Sequence, residues 1–221
     1  MLRKGEYTNL MRITKLGHSC LLIENKEIRI LTDPGYFTFE KVKNLAPLDA
    51  VFISDEHQDH FHIESLQALL KNNQDLQVFT QKSVQALLKK EAVESKLLLD
   101  GQETILKVLK IEGCGEKHAV LHPSIPQSDN TGYIFGEIFF YPGDALTKPP
   151  HPVKILALPV AGPWLTIGEA IDYAIEVAPK ICFPVHEEIL KTPGSAHRLP
   201  SVVLPKHNIQ FIIPGENPIE I

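Results

Sequence analysis

The apolar run from Leu48 to Ile53 stops at Ser54-Asp55-Glu56-His57-Gln58-Asp59-His60, and an amphipathic stretch begins near Ile63. A strand that ends by delivering two imidazoles and the carboxylates of two aspartates into one loop is what a site for one or two divalent metals requires. No other stretch packs as many metal-capable side chains into as few positions. The loop therefore constrains the fold: it needs a buried strand before it, a helix after it, and further ligands from elsewhere in the chain.

The pattern around the loop alternates between strands and helices. Met11 to Leu16, Ser19 to Glu24 and Glu27 to Thr32 read as short strands, with Glu24-Asn25-Lys26 as a hairpin turn and Asp33-Pro34-Gly35 as a stop. Ile63, Leu66, Leu69 and Leu70 share one helical face, as do Val84, Leu87 and Leu88, and Leu76 to Thr80 is a buried strand between them. A second β-rich series follows at Lys96 to Leu99, Thr104 to Ile111, Ala119 to Leu121, Gly132 to Phe135 and Ile138 to Tyr141, with turns at Asp100-Gly101 and Gly136-Glu137. Val153 to Val160 and Lys180 to Val185 are near-continuous apolar strands on either side of a helix at Ile167 to Val177. Ile209 to Ile213 and Pro218 to Ile221 close the chain. This order predicts an α/β (α+β) chain with two sheets face to face and helices outside, a four-layer αββα sandwich. With 221 residues, 43% of them hydrophobic, and no linker-like break, one domain over residues 1–221 is the simpler expectation.

Three later strand ends also carry a metal-capable residue. These are His118 beyond the strand ending near Cys114, Asp144 in Tyr141-Pro142-Gly143-Asp144, and His186 in Phe183-Pro184-Val185-His186. Together with the loop they supply enough imidazole and carboxylate for two metals. His122 follows the same stretch as His118, so either can be the ligand from this segment. In an alternating strand the two would share a face, which leaves His122 open as a substrate contact or general acid. His18 and Asp33 fit roles behind the ligands or beside the substrate, although Asp33-Pro34-Gly35 also reads as an ordinary turn. Trp164, in the Gly-Pro loop after a buried strand, either lines the pocket or plugs the core. His62, His151, His197 and His207 read as surface or satisfied interior groups.

The order of Ile13-Thr14-Lys15-Leu16-Gly17-His18-Ser19, Ile30-Leu31-Thr32-Asp33-Pro34, the metal loop, Gly143-Asp144 and Pro184-Val185-His186 resembles the metallo-β-lactamase-fold hydrolases. Within them the chain is similar to the compact single-domain branch that includes L-ascorbate-6-phosphate lactonase. The resemblance implies that His57 and His118, with Asp55 where a third imidazole normally sits, hold a first metal. It implies that Asp59, His60 and His186 hold a second, that His118 rather than His122 is the ligand, and that Asp144 bridges both ions. Hydroxide formed from water between the cations, oriented by Asp59, would then attack an ester, lactone, amide or phosphodiester bond of a small molecule. The family loop reads His-x-His-x-Asp-His, and Asp55 departs from it. A carboxylate there lowers the Lewis acidity of the first ion and favours Mn²⁺ or Fe²⁺ over the Zn²⁺ that the family implies.

Other properties narrow the partners. The formal net charge is −5, no apolar run approaches the roughly 20 residues that span a bilayer, and the opening Met1 to Glu6 is followed by no apolar leader core. Cys20, Cys114 and Cys182 are few, odd in number and set in apolar runs, as reduced buried thiols are. The expectation is a soluble cytoplasmic enzyme acting on a small molecule, anionic or phosphorylated ones included, without nucleic-acid or membrane partners; a homo-oligomer stays open. Two other readings remain: a degenerate, non-hydrolytic metal or ligand binder with a first site impaired at Asp55, and, more weakly, a nuclease, which the acidic charge disfavours.

Overall fold

The computed structural model describes residues 11–215 and 217–220, so the opening Met1 to Glu6 and Ile221 lie outside the described residues. Two seven-stranded mixed sheets form the centre. The first contains β1 (Arg12–Gly17), β2 (Cys20–Glu24), β3 (Arg29–Thr32), β4 (Ala50–Ile53), β5 (Gln77–Thr80) and β6 (Lys96–Leu97) in that order. The second runs in order from β7 (Glu103–Leu106) through β8 (Leu109–Cys114), β9 (Gly132–Phe135), β10 (Phe139–Tyr141), β11 (Ile155–Pro159) and β12 (Ile181–Val185) to β13 (Gln210–Phe211). The last strand, β14 (Ile219–Glu220), returns to pair antiparallel with β1.

The four expected layers follow from the strand period of two. Ala50 and Phe52 of β4, Tyr133 and Phe135 of β9, and Ile155 and Ala157 of β11 meet in the core between the sheets. Their neighbours face outward. Val51 and Ile53 pack with Leu66 and Leu69 of α2 (Ile63–Asn72) and Val84 and Leu88 of α3 (Lys82–Lys90). Ile134, Leu156 and Leu158 pack with Ala170, Ile171 and Ala174 of α4 (Ile167–Val177). Both faces of these strands are therefore covered, which is why β4 and β11 read as unbroken apolar runs. Phe52 stacks on Phe79 at 4.8 Å and meets Tyr133 and Phe135 edge-on, so truncating it would destabilise the fold by about 3–5 kcal/mol. Helix α4 starts at a full capping box, in which Thr166 and Glu169 satisfy each other's backbone N–H groups.

Two strand expectations are corrected. The segment from Thr104 to Ile111 is a hairpin, not one strand: Leu106 pairs with Leu109, and the chain reverses through Lys107, at φ 53, and Val108. No Gly, Asn or Asp marks that turn. Ala119 to Leu121 is not a strand either, because Ala119 N–H donates to Asp144 O rather than to a sheet neighbour. The sequence reading passed over two helical segments, a single turn α1 (Phe39–Val42) and the run from Pro193 through α5 (Arg198–Val203) to His207.

Candidate metal centre

Strands β3 and β4 of one sheet run parallel, as do β10, β11 and β12 of the other, and the loops at their carboxyl ends meet at one edge of the sandwich. Asp33 follows β3, Ser54 and Asp55 follow β4, Asp144 lies beyond β10 and His186 follows β12. The chain bends sharply there. His18, Asp33 and His186 all have positive φ, at 44°, 36° and 69°, conformations that side chains with a Cβ rarely adopt and that cluster at functional sites.

Three groups of side chains lie close enough to share an ion, every ligand atom within 4.8 Å of the others. One is Asp55, His57 and His118; a second is His18, Asp59, His60 and His186; a third is Asp55, His60 and Asp144. The structure thus brings together all seven residues that the family resemblance made ligands, and adds His18. It does not bring His122 to them. With the strand expectation gone, that residue is exposed and its Nδ1 pairs with Ser124 Oγ at 2.7 Å.

Tautomers decide what the imidazoles can do. His60 Nδ1–H donates to Asp33 Oδ2 at 2.6 Å, His118 Nδ1–H to Ala119 O at 2.6 Å, and His186 Nδ1–H to Ala161 O at 2.8 Å. The Ala119 and Ala161 carbonyls have no proton to give, and Asp33 already accepts from Ser54 and Tyr141, so Nδ1 carries the hydrogen in each ring and Nε2 offers its lone pair when the ring is neutral. All three Nε2 atoms turn to Asp144, at 3.1 Å from Oδ1 for His60, 3.3 Å from Oδ2 for His118 and 3.0 Å from Oδ2 for His186. His60 Nε2, His186 Nε2 and Asp144 Oδ1 are buried and lack the alignment of a hydrogen bond despite their closeness. Imidazole nitrogens and carboxylate oxygens buried together without hydrogen-bond partners fit a cation that takes the place of ring protons.

Asp55 is fully buried and divides its oxygens. Oδ1 accepts from His57 N–H at 2.7 Å and from His57 Nδ1–H at 3.1 Å, holding the loop, while Oδ2 has no partner. Behind these side chains, Asp33 receives four donors: Ser54 N–H, Ser54 Oγ–H, His60 Nδ1–H and the Tyr141 hydroxyl. Burial still raises the Asp33 carboxyl, and it also keeps the Tyr141 phenol protonated far above its ordinary range.

Burial opposes charge throughout the cluster, and the carboxylates overcome it. Against desolvation, Asp144 and Asp59 bring His186 up to about 9, and Asp144, Asp55 and Asp33 raise His60 well above its usual value. The hydrogen bond that His57 donates to Asp55 raises His57. Asp144 and Asp59 lie well below the usual carboxylate range in spite of burial, held there by His60 and His186 for the first and His18 and His186 for the second. His18 behaves oppositely: burial drops it to about 4, so it stays neutral and donates Nε2–H to Asp59 Oδ2 at 3.1 Å. Lys15, itself largely buried, pairs with Glu187 and donates to Pro184 O at 3.0 Å, tying β1 to the loop that carries His186.

A cavity of about 240 Å³ opens onto these groups. His57, Asp59, His118, Asp144 and His186 form its polar side, and Leu121, Pro163, Trp164 and Ile189 its apolar side. Trp164, one of the two alternatives left open above, lines the cavity.

Two face-to-face mixed sheets carrying such a centre at their strand ends define a metallo-β-lactamase fold. The chain belongs to the β-lactamase superfamily domain family, which it matches over residues 12–186. It is 36% identical to protein Rv0786c of Mycobacterium tuberculosis over 185 residues, 81% of this chain and 85% of that one. Among solved structures, it is similar to Igni18, a metallo hydrolase of the archaeon Ignicoccus hospitalis, with a TM-score of 0.76 at 18% identity over 96% of this chain and 99% of that one. The metallo-beta-lactamase fold protein YhfI of Bacillus subtilis gives 0.74 at 15% identity over 96% and 100%. Likeness at these identities speaks for the fold. The sequence reading missed Tyr141 and the carbonyls of Ala119 and Ala161. Tyr141 carries one signal, since it precedes Pro142-Gly143-Asp144 on an inward strand position; the carbonyls leave no trace in residue identity.

Proposed function

We propose that the protein is a metal-dependent hydrolase that uses water to cleave an ester, lactone, amide or phosphodiester bond of a small molecule, the chain acting as one domain. The observation that carries this reading is the convergence of three Nδ1-anchored histidines on Asp144, with Asp55 Oδ2 left bare beside them. His57, His118 and Asp55 would hold one ion, and Asp59, His60 and His186 a second, with Asp144 between. When bound, such ions lower the pKa of water towards roughly 7 and polarise the bond under attack. The protein's own part is positional. Asp59 stays ionised at the cavity, steadied by His18, where it can orient water or take its proton. The family favours Zn²⁺, and the oxygen donor of Asp55 supports Mn²⁺ or Fe²⁺.

Metal content by plasma mass spectrometry, for the parent, His57→Ala and Asp144→Ala, tests the reading together with turnover on an ester, lactone and phosphodiester panel. Up to two equivalents in the parent, lost in Asp144→Ala, and turnover abolished by chelation are expected. Turnover that survives chelation would overturn the proposal. An inert parent that gains metal and activity as Asp55→His would instead support a degenerate binding protein.

A further inference from the structure

The apolar side of the cavity is built by the same loops that carry the histidines. Leu121 lies three residues past His118 and Ile189 three past His186, and both are large apolar side chains left open to solvent, at 37% and 40% exposure. Trp164 closes the gap between them, its ring edge-on to His118 at 5.6 Å and to His186 at 5.9 Å. Its indole Nε1 is buried without a partner, so packing rather than hydrogen bonding fixes the ring. The ring rests on Gly162, where a Cβ would come within 2.8 Å of Nε1 and 2.9 Å of Cε2. Gly162 has an ordinary backbone conformation, so space requires the glycine there, not torsion.

Among the described residues that line this cavity, none is a lysine or an arginine. An anionic group placed against Leu121, Trp164 and Ile189 would lose its hydration and find no lysine or arginine, the positive charge across the cavity being already matched by Asp55, Asp59 and Asp144, whereas an uncharged group would gain from leaving water. The volume suits one group about the size of a ring beside the reacting bond, near the lower end of small-molecule sites.

We infer that the substrate carries an uncharged, apolar acyl group, short or ring-sized, seated against Trp164, Leu121 and Ile189, and that Gly162 sets this preference by placing the Trp164 ring. This rests on the hydrolase reading above. In the reaction, the oxygen of water bonds to the acyl carbon, the bond from that carbon to the leaving oxygen breaks, and a proton from the water passes to the departing group.

Two matched pairs test it on the metal-loaded protein. 4-Nitrophenyl butyrate and mono-4-nitrophenyl succinate differ at the far end of the acyl chain, a methyl in one and a carboxylate in the other. kcat/KM is expected to be at least tenfold higher for the butyrate, and Gly162→Ala or Leu121→Lys should shrink that ratio with metal content unchanged. A succinate ester cleaved as well as the butyrate would overturn the inference and leave hydrolysis standing. The second pair needs no turnover. Trp164 is the sole tryptophan, so its fluorescence reports occupancy directly. 2-Hexanone should shift the emission saturably and levulinate, the carboxylated ketone, only at tenfold higher concentration or not at all. That result without turnover of either ester would sink the hydrolase reading and keep the apolar site. Equal or tighter binding of levulinate, or no response to 2-hexanone, would sink the site itself.

Discussion

His60 stands between two carboxylates: its Nδ1 lies 2.6 Å from Asp33 Oδ2 and its Nε2 3.1 Å from Asp144 Oδ1. Asp33 therefore fixes the ring that faces the centre without reaching the centre itself. Asp33→Asn keeps the volume but removes the charge and one acceptor, and is expected to weaken metal binding about 10- to 100-fold. Competition against a chromophoric chelator measures this, with Tyr141→Phe as a milder step in the same direction. A folded Asp33→Asn variant with parental affinity would remove Asp33 from the role.

Asp55 does two things, and substitutions separate them. Asp55→Asn retains an oxygen for the His57 N–H and should melt close to the parent, yet bind metal more weakly because the bare charge is gone. Asp55→Ala strands that N–H as well and should lose about 1–2 kcal/mol of stability on top. Thermal melts of the metal-free proteins read the first effect and titration reads the second; equal melting of all three would contradict the loop-holding role.

Gly35 touches the centre through its backbone. A Cβ there would sit 1.8 Å from Asp59 O and 2.2 Å from the adjoining carbonyl carbon, although φ is an unremarkable −72°. Gly35→Ala must move Asp59, and displacements near 1 Å at such sites reduce rates by about 100-fold. Retained metal and rate constants for Gly35→Ala should fall together. Gly194→Ala, where nothing lies within 4 Å, should change neither.

The three thiols give a pH dependence. Burial pushes Cys114 up from 9.0 to about 12, and Cys20 and Cys182 further. In the unfolded chain they ionise near 9, in the folded one much later, so their contribution to stability is complete below pH 9 and is lost as the pH climbs through the folded values. The melting temperature should decline above pH 9. Alkylation at pH 8 should label no thiol in the native protein in the time that labels all three in denaturant.

What could be read from residues alone depended on which force did the specifying. Strands such as β4 and β11 were plain because both faces are buried, and helix α4 because Thr166 and Glu169 bracket its start. The hairpin at Lys107-Val108 was hidden because β8 is held in the sheet by pairing with the distant β9, and the reversal that brings Leu106 opposite Leu109 uses residues that do not announce a turn. The segment after His118 misled for a related reason. Val120 and Leu121 look like strand, but their apolar side chains serve the cavity and the surface, while Ala119 is held by a carbonyl from another loop. At the centre, the metal-capable residue types at strand ends were legible. Their aim was not, since backbone carbonyls of Ala119 and Ala161 set two of the three tautomers.

The cluster draws His18 and Asp59 from the first sheet and Asp144 and His186 from the second, residues separated by most of the chain. A nascent polypeptide cannot assemble that set until residue 186 has been synthesised and the aromatic layer around Phe52, Phe135 and Phe139 has brought the two sheets together. A cation held there would therefore bind late in the life of each molecule, following folding instead of nucleating it as in small zinc modules. Loss of the ion would, in turn, be an early sign that the two halves had begun to part.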